Sequence, residues 1–309
     1  MVIIFALLAA LANAVNEATQ HVASIAAPGR TSGWRLVVYL FRNPLWLFGW
    51  VALAGAFVFQ ALALHDGQIS VVQPLLATEL VFMLVLRRVW IRQSIRPVTW
   101  GAAAVTCVGL AVFVVGAEPT GGNPTPTSHH WLTALLACCI GAGVLAVLAH
   151  WGSAGLRAAL YASAAAVMWA LVATFIKATT DTLTEFGIAG TFIRWPLYAL
   201  ALGSVAALFL QQAALHVGPL RASQPFLVII DPMVSIALSI WLFSEHFTDN
   251  AARLAVAAAG FAVMCAGVVL LTQTAPATMN ADLPDDAGSR GQPGAAASQS
   301  PPPARRPQP

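Results

Sequence analysis

The sequence predicts an all-α polytopic membrane protein of about nine transmembrane helices. It predicts two inverted repeats of four helices joined by one linking helix. Three observations carry this: an apolar composition, an internal repeat and a one-sided distribution of basic residues. Hydrophobic residues make up 59% of the 309-residue chain and charged residues only 9%. A soluble domain carries roughly 25% charged residues, so a soluble core does not account for this chain. The net charge of +3 forms no nucleic-acid face, because the arginines are scattered among short loops, and no nucleic-acid partner is expected.

The repeat is visible without gaps. Residues 59–116 and 210–267 align at a constant offset of 151 positions. Gln60, Ala63, Leu64, His65, Gln73-Pro74, Trp90, Gly109 and Gly116 return as Gln211, Ala214, Leu215, His216, Gln224-Pro225, Trp241, Gly260 and Gly267. Both copies are almost wholly apolar. Duplication inside a polytopic protein is the pattern of secondary transporters, whose substrate site lies near the bilayer midplane between the halves.

Taken in order, the apolar segments fall at about 2–25, 45–64, 69–88, 98–116, 131–150, 156–176, 194–215, 220–243 and 251–272. Each is close to the roughly 20 residues that a span needs. The first carries Asn13, Asn16, Glu17 and Gln20, which do not suit the apolar core of a cleaved signal peptide, so it reads as a retained helix. The residues at 117–130 form a loop rich in Pro, Gly and Thr that ends in His129-His130, read as a solvated loop end. Segment 131–150 is the linking helix. Residues 273–309 hold no apolar run and include Pro301-Pro302-Pro303, a composition expected to be disordered. The division is therefore 1–116, first repeat; 117–130, loop; 131–150, linking helix; 156–272, second repeat; 273–309, tail. Cys107, Cys138, Cys139 and Cys265 lie in apolar stretches without metal-ligand spacing and read as small packing residues.

Alternation of the spans places 12 basic residues on one side and three, Lys177, Arg194 and Arg253, on the other. The positive-inside rule assigns the first side to the cytoplasm. The expected location is the cell (inner) membrane, multi-pass, with the N-terminus outside and the C-terminus inside. Five spans fit within the repeat offset. That number is odd, so the two copies cross the membrane in opposite directions, which makes them inverted repeats.

Ionisable residues inside spans mark candidate sites, because an Asp at mid-helix costs about 2.5–3.5 kcal/mol on insertion. Glu17 lies in the first span, Glu79 in the middle of the third and Asp231 in the middle of the eighth. Asp231 is one residue past the position equivalent to Glu79. These two acids read as a pair that binds a cation or exchanges protons with substrate, or as protonated acids hydrogen-bonding across helices. Asn13, Asn16, Glu17, Gln20 and His21 follow i, i+3, i+4, i+7, i+8 spacing on one helix face. Lipid rejects such a face, so it lines protein or water. Glu17 and His21 suit a proton relay, and plain interhelical hydrogen bonding suits them equally. Val167, Met168, Trp169 and Ala170 offer an aromatic, less polar counterpart in the sixth span.

Gln73-Pro74 and Gln224-Pro225 sit one turn inside the third and eighth spans, and Pro232 follows Asp231. Proline removes a backbone donor and frees a carbonyl. Pro74, Pro225 and Pro232 are therefore expected helix breaks, with Gln73 and Gln224 as polar lining beside them. Ala102, Ala103, Gly109, Gly116, Ala258, Gly260 and Gly267 read as surfaces for close helix approach. Lys177, at the end of the sixth span, reads as snorkelling to the interface.

The second copy ends Phe243-Ser244-Glu245-His246-Phe247, then Ala251-Ala252 and Gly260 to Gly267. This resembles the closing signature of EamA-like repeats in the drug/metabolite transporter superfamily. There a Glu sits in the short turn before a Gly-containing last helix, and Glu245 is read as capping that turn. The first copy keeps Gly101, Gly109 and Gly116 but has Ser94 and Ile95 near the Glu position. The nine-span, N-out layout is similar to the NIPA-type magnesium-transporter branch. The resemblance covers roughly residues 1–272 and implies solute transport by alternating access without ATP.

The resulting expectation is a non-enzymatic secondary transporter of a small solute, drug or ion, coupled to protons or cations. A magnesium or divalent-cation permease using the same acids is one alternative. A membrane scaffold presenting the proline-rich tail is another. The chain has no phosphate-binding Gly-x-x-x-x-Gly-Lys loop, and no cofactor or confident metal site is expected. The partners are the solute and the bilayer, with homo-oligomer formation left open.

Overall fold

A computed structural model gives the fold and describes residues 1–25, 42–90, 92, 94–121, 126–218 and 220–274. The proline-rich tail, the side chain of His21 and residues 26–41 lie outside the described residues. Among the described residues, nine helical stretches are long and apolar enough to cross a membrane. The protein is accordingly an all-α, multi-pass membrane protein.

The helices are α1 (Val2–Ile25), α2 (Pro44–Asp66), α3 (Ile69–Leu76), α4 (Glu79–Val89), α5 (Pro97–Ala117), α6 (Ser128–Leu148), α7 (Ala154–Ile193), α8 (Trp195–Val217), α9 (Leu220–Phe243) and α10 (Ala251–Thr274). Together α3 and α4 make the third span. Prolines open several of them: Pro44, Pro97 and Pro196 occupy first-turn positions, where the missing N–H would have no intrahelical partner. Asn43 caps α2 by accepting from Leu45 N at 2.9 Å.

Three elements depart from the sequence expectation. The sixth span does not end at 176: α7 continues to Ile193, and the residues expected as a loop are helical. The stretch 177–186 has no proline or glycine, and Thr180, Thr182 and Thr184 bond back to carbonyls three or four residues earlier, so the helix continues as far as the kink at Gly187. Its 40 residues make about 60 Å of helix, twice the roughly 30 Å hydrocarbon layer. Relief comes at Gly187 (φ 68°, ψ −177°), a conformation essentially confined to glycine. The third span breaks at Ala77-Thr78, three residues after Pro74. The eighth does not break: α9 runs unbroken past Pro225 and Pro232, which corrects the expectation of interruptions there. Residues His129 and His130 belong to the first turn of α6 rather than to a loop end.

The packing scheme follows from small residues. α1 and α7 are alanine-rich on their buried faces: Ala6, Ala10, Ala14 and Ala18 in one, Ala158, Ala162, Ala166 and Ala173 in the other. Small side chains let backbones approach. α1 packs on α2 and on the third span, and α7 packs on α8 and α9. α5 packs along α10, α3 meets α9, and α6 lies against α7. Val51, Val115, Leu202 and Phe209 point outward and are exposed, as a lipid-facing surface requires.

One end of the bundle is tightly tied. At the end where α1 begins, Gly67 abuts Val2. Lys177 donates to Leu64 O at 2.9 Å and Gly67 O at 3.2 Å, with its Nζ 5.7 Å from the Phe243 ring centroid. It therefore satisfies the carbonyls at the C-terminus of α2 and does not snorkel. Glu245 is 2% exposed. Its carboxylate accepts from Ile69 N (3.0 Å), Ser70 N (3.2 Å) and Ser70 Oγ (2.7 Å). It caps α3 in the other half of the chain and not its own turn. Its strand β2 (Glu245–His246) pairs antiparallel with β1 (Thr120–Gly121), and Arg253 pairs with Glu118. Trp131 packs against Phe175, Trp195 and Phe243 with ring centroids 5.0–5.9 Å apart. At the opposite end, Thr99 Oγ1 donates to Thr274 O, tying the start of α5 to the end of α10.

Candidate functional site

The break in the third span builds the site. Pro74 has no N–H to give, so the helix loses a rung. Ala77 N then bonds Pro74 O and Thr78 N bonds Leu75 O, the tighter i+3 pattern of a 3-10 turn. The Thr78 hydroxyl also donates to Leu75 O at 2.7 Å. Helix restarts at Glu79, which becomes the first residue of α4. The N–H groups that follow are engaged, Leu80 N by Ala77 O and Val81 N and Phe82 N by Thr78 O, so Glu79 sits just past a tightened turn.

Three helices bring the acids together. Glu79 lies beside the side chain of Asn13 on α1, and both Glu17 and Asp231 lie within electrostatic reach of it. Ser235 Oγ donates to Asp231 Oδ1 at 3.2 Å, one turn along α9. The one-residue offset between Glu79 and Asp231 does not keep them apart. Glu79 and Asp231 are half-buried. Glu17, on the same helix as Asn13, keeps exposed surface. Asn16 and Gln20 engage each other, Gln20 Nε2 donating to Asn16 Oδ1 at 2.6 Å.

The remaining candidates separate. Gln73 is 3% exposed and its Nε2 has no hydrogen-bond partner. Gln224 lines a small cleft among α7, α8 and α9 with Gln211, Ala214 and Leu227. Trp169 Nε1 donates to Gln211 Oε1 at 2.8 Å, joining α7 to α8 as structural glue. Pro74, Pro225 and Pro232 are buried.

Sequence reasoning missed Arg87, which it counted among the cytoplasmic loop charges. Arg87 is inside α4, 7% exposed, with Nε buried and unpartnered. It interacts electrostatically with Glu17. The signal was available: Glu79, Met83 and Arg87 stand at i, i+4 and i+8, one face of one helix. Met83 is buried against Ala14 and Ala18, so that face is turned to α1.

No family model matches the chain, and no solved structure matches it. The chain is similar to an uncharacterized protein of Corynebacterium glutamicum, 27% identical over 249 residues, covering 80% of this chain and 86% of that protein.

Proposed function

We propose that the protein is a secondary transporter of the drug/metabolite transporter type. It moves a small solute by alternating access between two inverted half-bundles. The observation that carries this reading is the meeting of Glu17, Glu79 and Asp231 from α1, α4 and α9 inside the bundle. Acids inside a membrane span are expensive to retain, and the accessible surface of Glu17 offers a solute or proton a point of contact.

The inverted layout is supported by reciprocal contacts at the α5–α10 crossing. A Cβ on Gly109 would meet Met264 and Gly260, and one on Gly260 would meet Phe113 and Gly109. Gly116 abuts Ala257, and Gly267 abuts Thr106. Each member of these pairs is its counterpart shifted by the 151-residue offset, and the two helices run antiparallel. The other packing pairs exchange the same way: α1–α2 with α7–α8, and α1–third span with α7–α9. A two-fold axis in the membrane plane generates such a pattern.

In this reading the Met1 end is external. The Glu245 cap, the Lys177 bonds, the β1–β2 ribbon and the Trp131 cluster close it, and the bundle rocks to release them. The test is charge movement in proteoliposomes on a solid-supported membrane. The challenges are amino acids, nucleosides, lipophilic cations and Mg²⁺, with and without a pH gradient. Glu79→Gln and Asp231→Asn are each expected to reduce a solute-evoked current by roughly tenfold or more, given the cost of retaining a mid-membrane acid. A Mg²⁺ current indifferent to the pH gradient but lost in both variants would replace this reading with a cation permease. Currents unchanged in both variants would overturn the site.

A further inference from the structure

We propose that Arg87 is an anion-binding residue beside the same acids, so that the transported molecule is amphoteric: an oxyanion group seats on Arg87 and a cationic group on Glu79 and Asp231. Calling that molecule a cargo rests on the transporter reading. The argument begins with what Arg87 lacks. A guanidinium offers five donors in a rigid fork and is always charged. Arg87 is 7% exposed and its Nε is buried without a partner. Among the described residues no hydrogen bond or ion pair engages its side chain. A buried, unpaired charge is among the costliest features a fold retains.

Its own surroundings do not neutralise it. Glu17 is the acid in electrostatic contact, and no ion pair joins the two at 4.0 Å or less. Glu17 also interacts with Glu79, so it stands between the acid pair and the arginine. With every group charged, three acids face one cation. The excess negative charge draws a cationic group to Glu79 and Asp231, and Arg87 remains with an open fork. Along α4 the two poles are eight residues apart, about 12 Å at the backbone, and Arg87 leans back toward the helix N-terminus and the acids. That spacing suits a small molecule carrying both charges. It does not suit Mg²⁺, which the arginine would repel.

The experiment modifies arginines in the wild-type protein with phenylglyoxal in neutral maltoside micelles and follows Arg87 by peptide mass spectrometry. Acetate, inorganic phosphate and glycine are compared with chloride at equal ionic strength. A probe at twice its Kd leaves about one third of sites free, so modification of Arg87 should slow about threefold. Arg88, the neighbouring exposed arginine, should be unaffected. An Arg87 that does not react, or that reacts at the same rate in every arm, overturns the proposal. Protection by added anionic lipid alone would make it a headgroup contact and would also overturn the cargo assignment. Arg87→Gln supplies the transport arm: it should abolish currents from amphoteric solutes while sparing those from simple organic cations. If both are lost together, Arg87 is a structural counter-charge and the proposal fails. Anion protection without any solute current would keep the anion site and remove the transporter reading.

Discussion

At the scale of single residues, two candidates were legible as outliers and two placements were not. Glu79 and Asp231 stood out because an acid in an apolar run has no cheap explanation. Arg87 did not, because a basic residue near a span end normally belongs to the loop. Only its burial against α1 separates it from Arg88, and burial is a tertiary fact. Glu245 was read correctly as a cap, but for the wrong helix. Its partners, Ile69 and Ser70, are 176 and 175 residues away in sequence, and no local pattern announces a contact at that distance. The cap makes a direct prediction. Glu245→Ala leaves two buried backbone N–H groups and a hydroxyl unsatisfied. Losing an N-cap costs about 0.5–2 kcal/mol, and buried orphan donors push the loss to the upper end. Glu245→Gln keeps one acceptor oxygen and should lose less. Thermal melting of the purified protein in detergent would rank the three forms. If Glu245→Ala melts with wild type, the cap is not holding the Met1 end together.

At the scale of elements, composition and length placed eight of the nine spans within a few residues of where they lie. The errors came where helix continuation is decided by weak signals. α7 overran because residues 177–186 hold no proline or glycine and continue a helix by default, up to the kink at Gly187. The prolines behaved unequally for a physical reason visible in the bonds. After Pro74 the chain tightens into i+3 bonding at Ala77 and Thr78, with Thr78 Oγ1 stabilising the turn. The equivalent residues after Pro225, Val228 and Ile229, carry no hydroxyl, and α9 stays helical. Pro74→Ala restores the missing donor. Pro in a regular helix costs about 3 kcal/mol relative to Ala, so this variant should be no less stable than wild type. It should nevertheless turn over more slowly, because Glu79 would lose its place at the head of α4. Pro225→Ala, in an already continuous helix, should leave turnover unchanged. Equal currents in wild type and Pro74→Ala would show that the break is a packing accident.

At the scale of the whole molecule, the constant offset was the most informative feature of the sequence, because it survives as a pattern of contacts. Gly109, Gly116, Gly260 and Gly267 were readable as small packing residues. That they pack against each other's equivalents could be learned only from the fold. The crossing of α5 and α10 is where the halves meet most closely, so it is where the symmetry is most testable. A Cβ on Gly109 would lie 2.7 Å from Met264 Cα and 2.8 Å from Gly260 O; one on Gly260 would lie 2.9 Å from Gly109 O. These neighbours are backbone and cannot rotate away. Gly109→Ala and Gly260→Ala should therefore each destabilise by about 1–3 kcal/mol, the usual cost of overpacking. Under the proposed two-fold relation the two positions are equivalent, so their losses should match. The double variant should lose less than the sum, since both substitutions force open one contact. Gly55→Ala and Gly101→Ala, with nothing within 4 Å of the added atom, serve as controls and should be neutral or slightly stabilising. Thermal melting of the five variants decides it. A large loss in Gly109→Ala beside none in Gly260→Ala would mean that the crossing is not symmetric, and the two-fold relation between the halves would lose its main support.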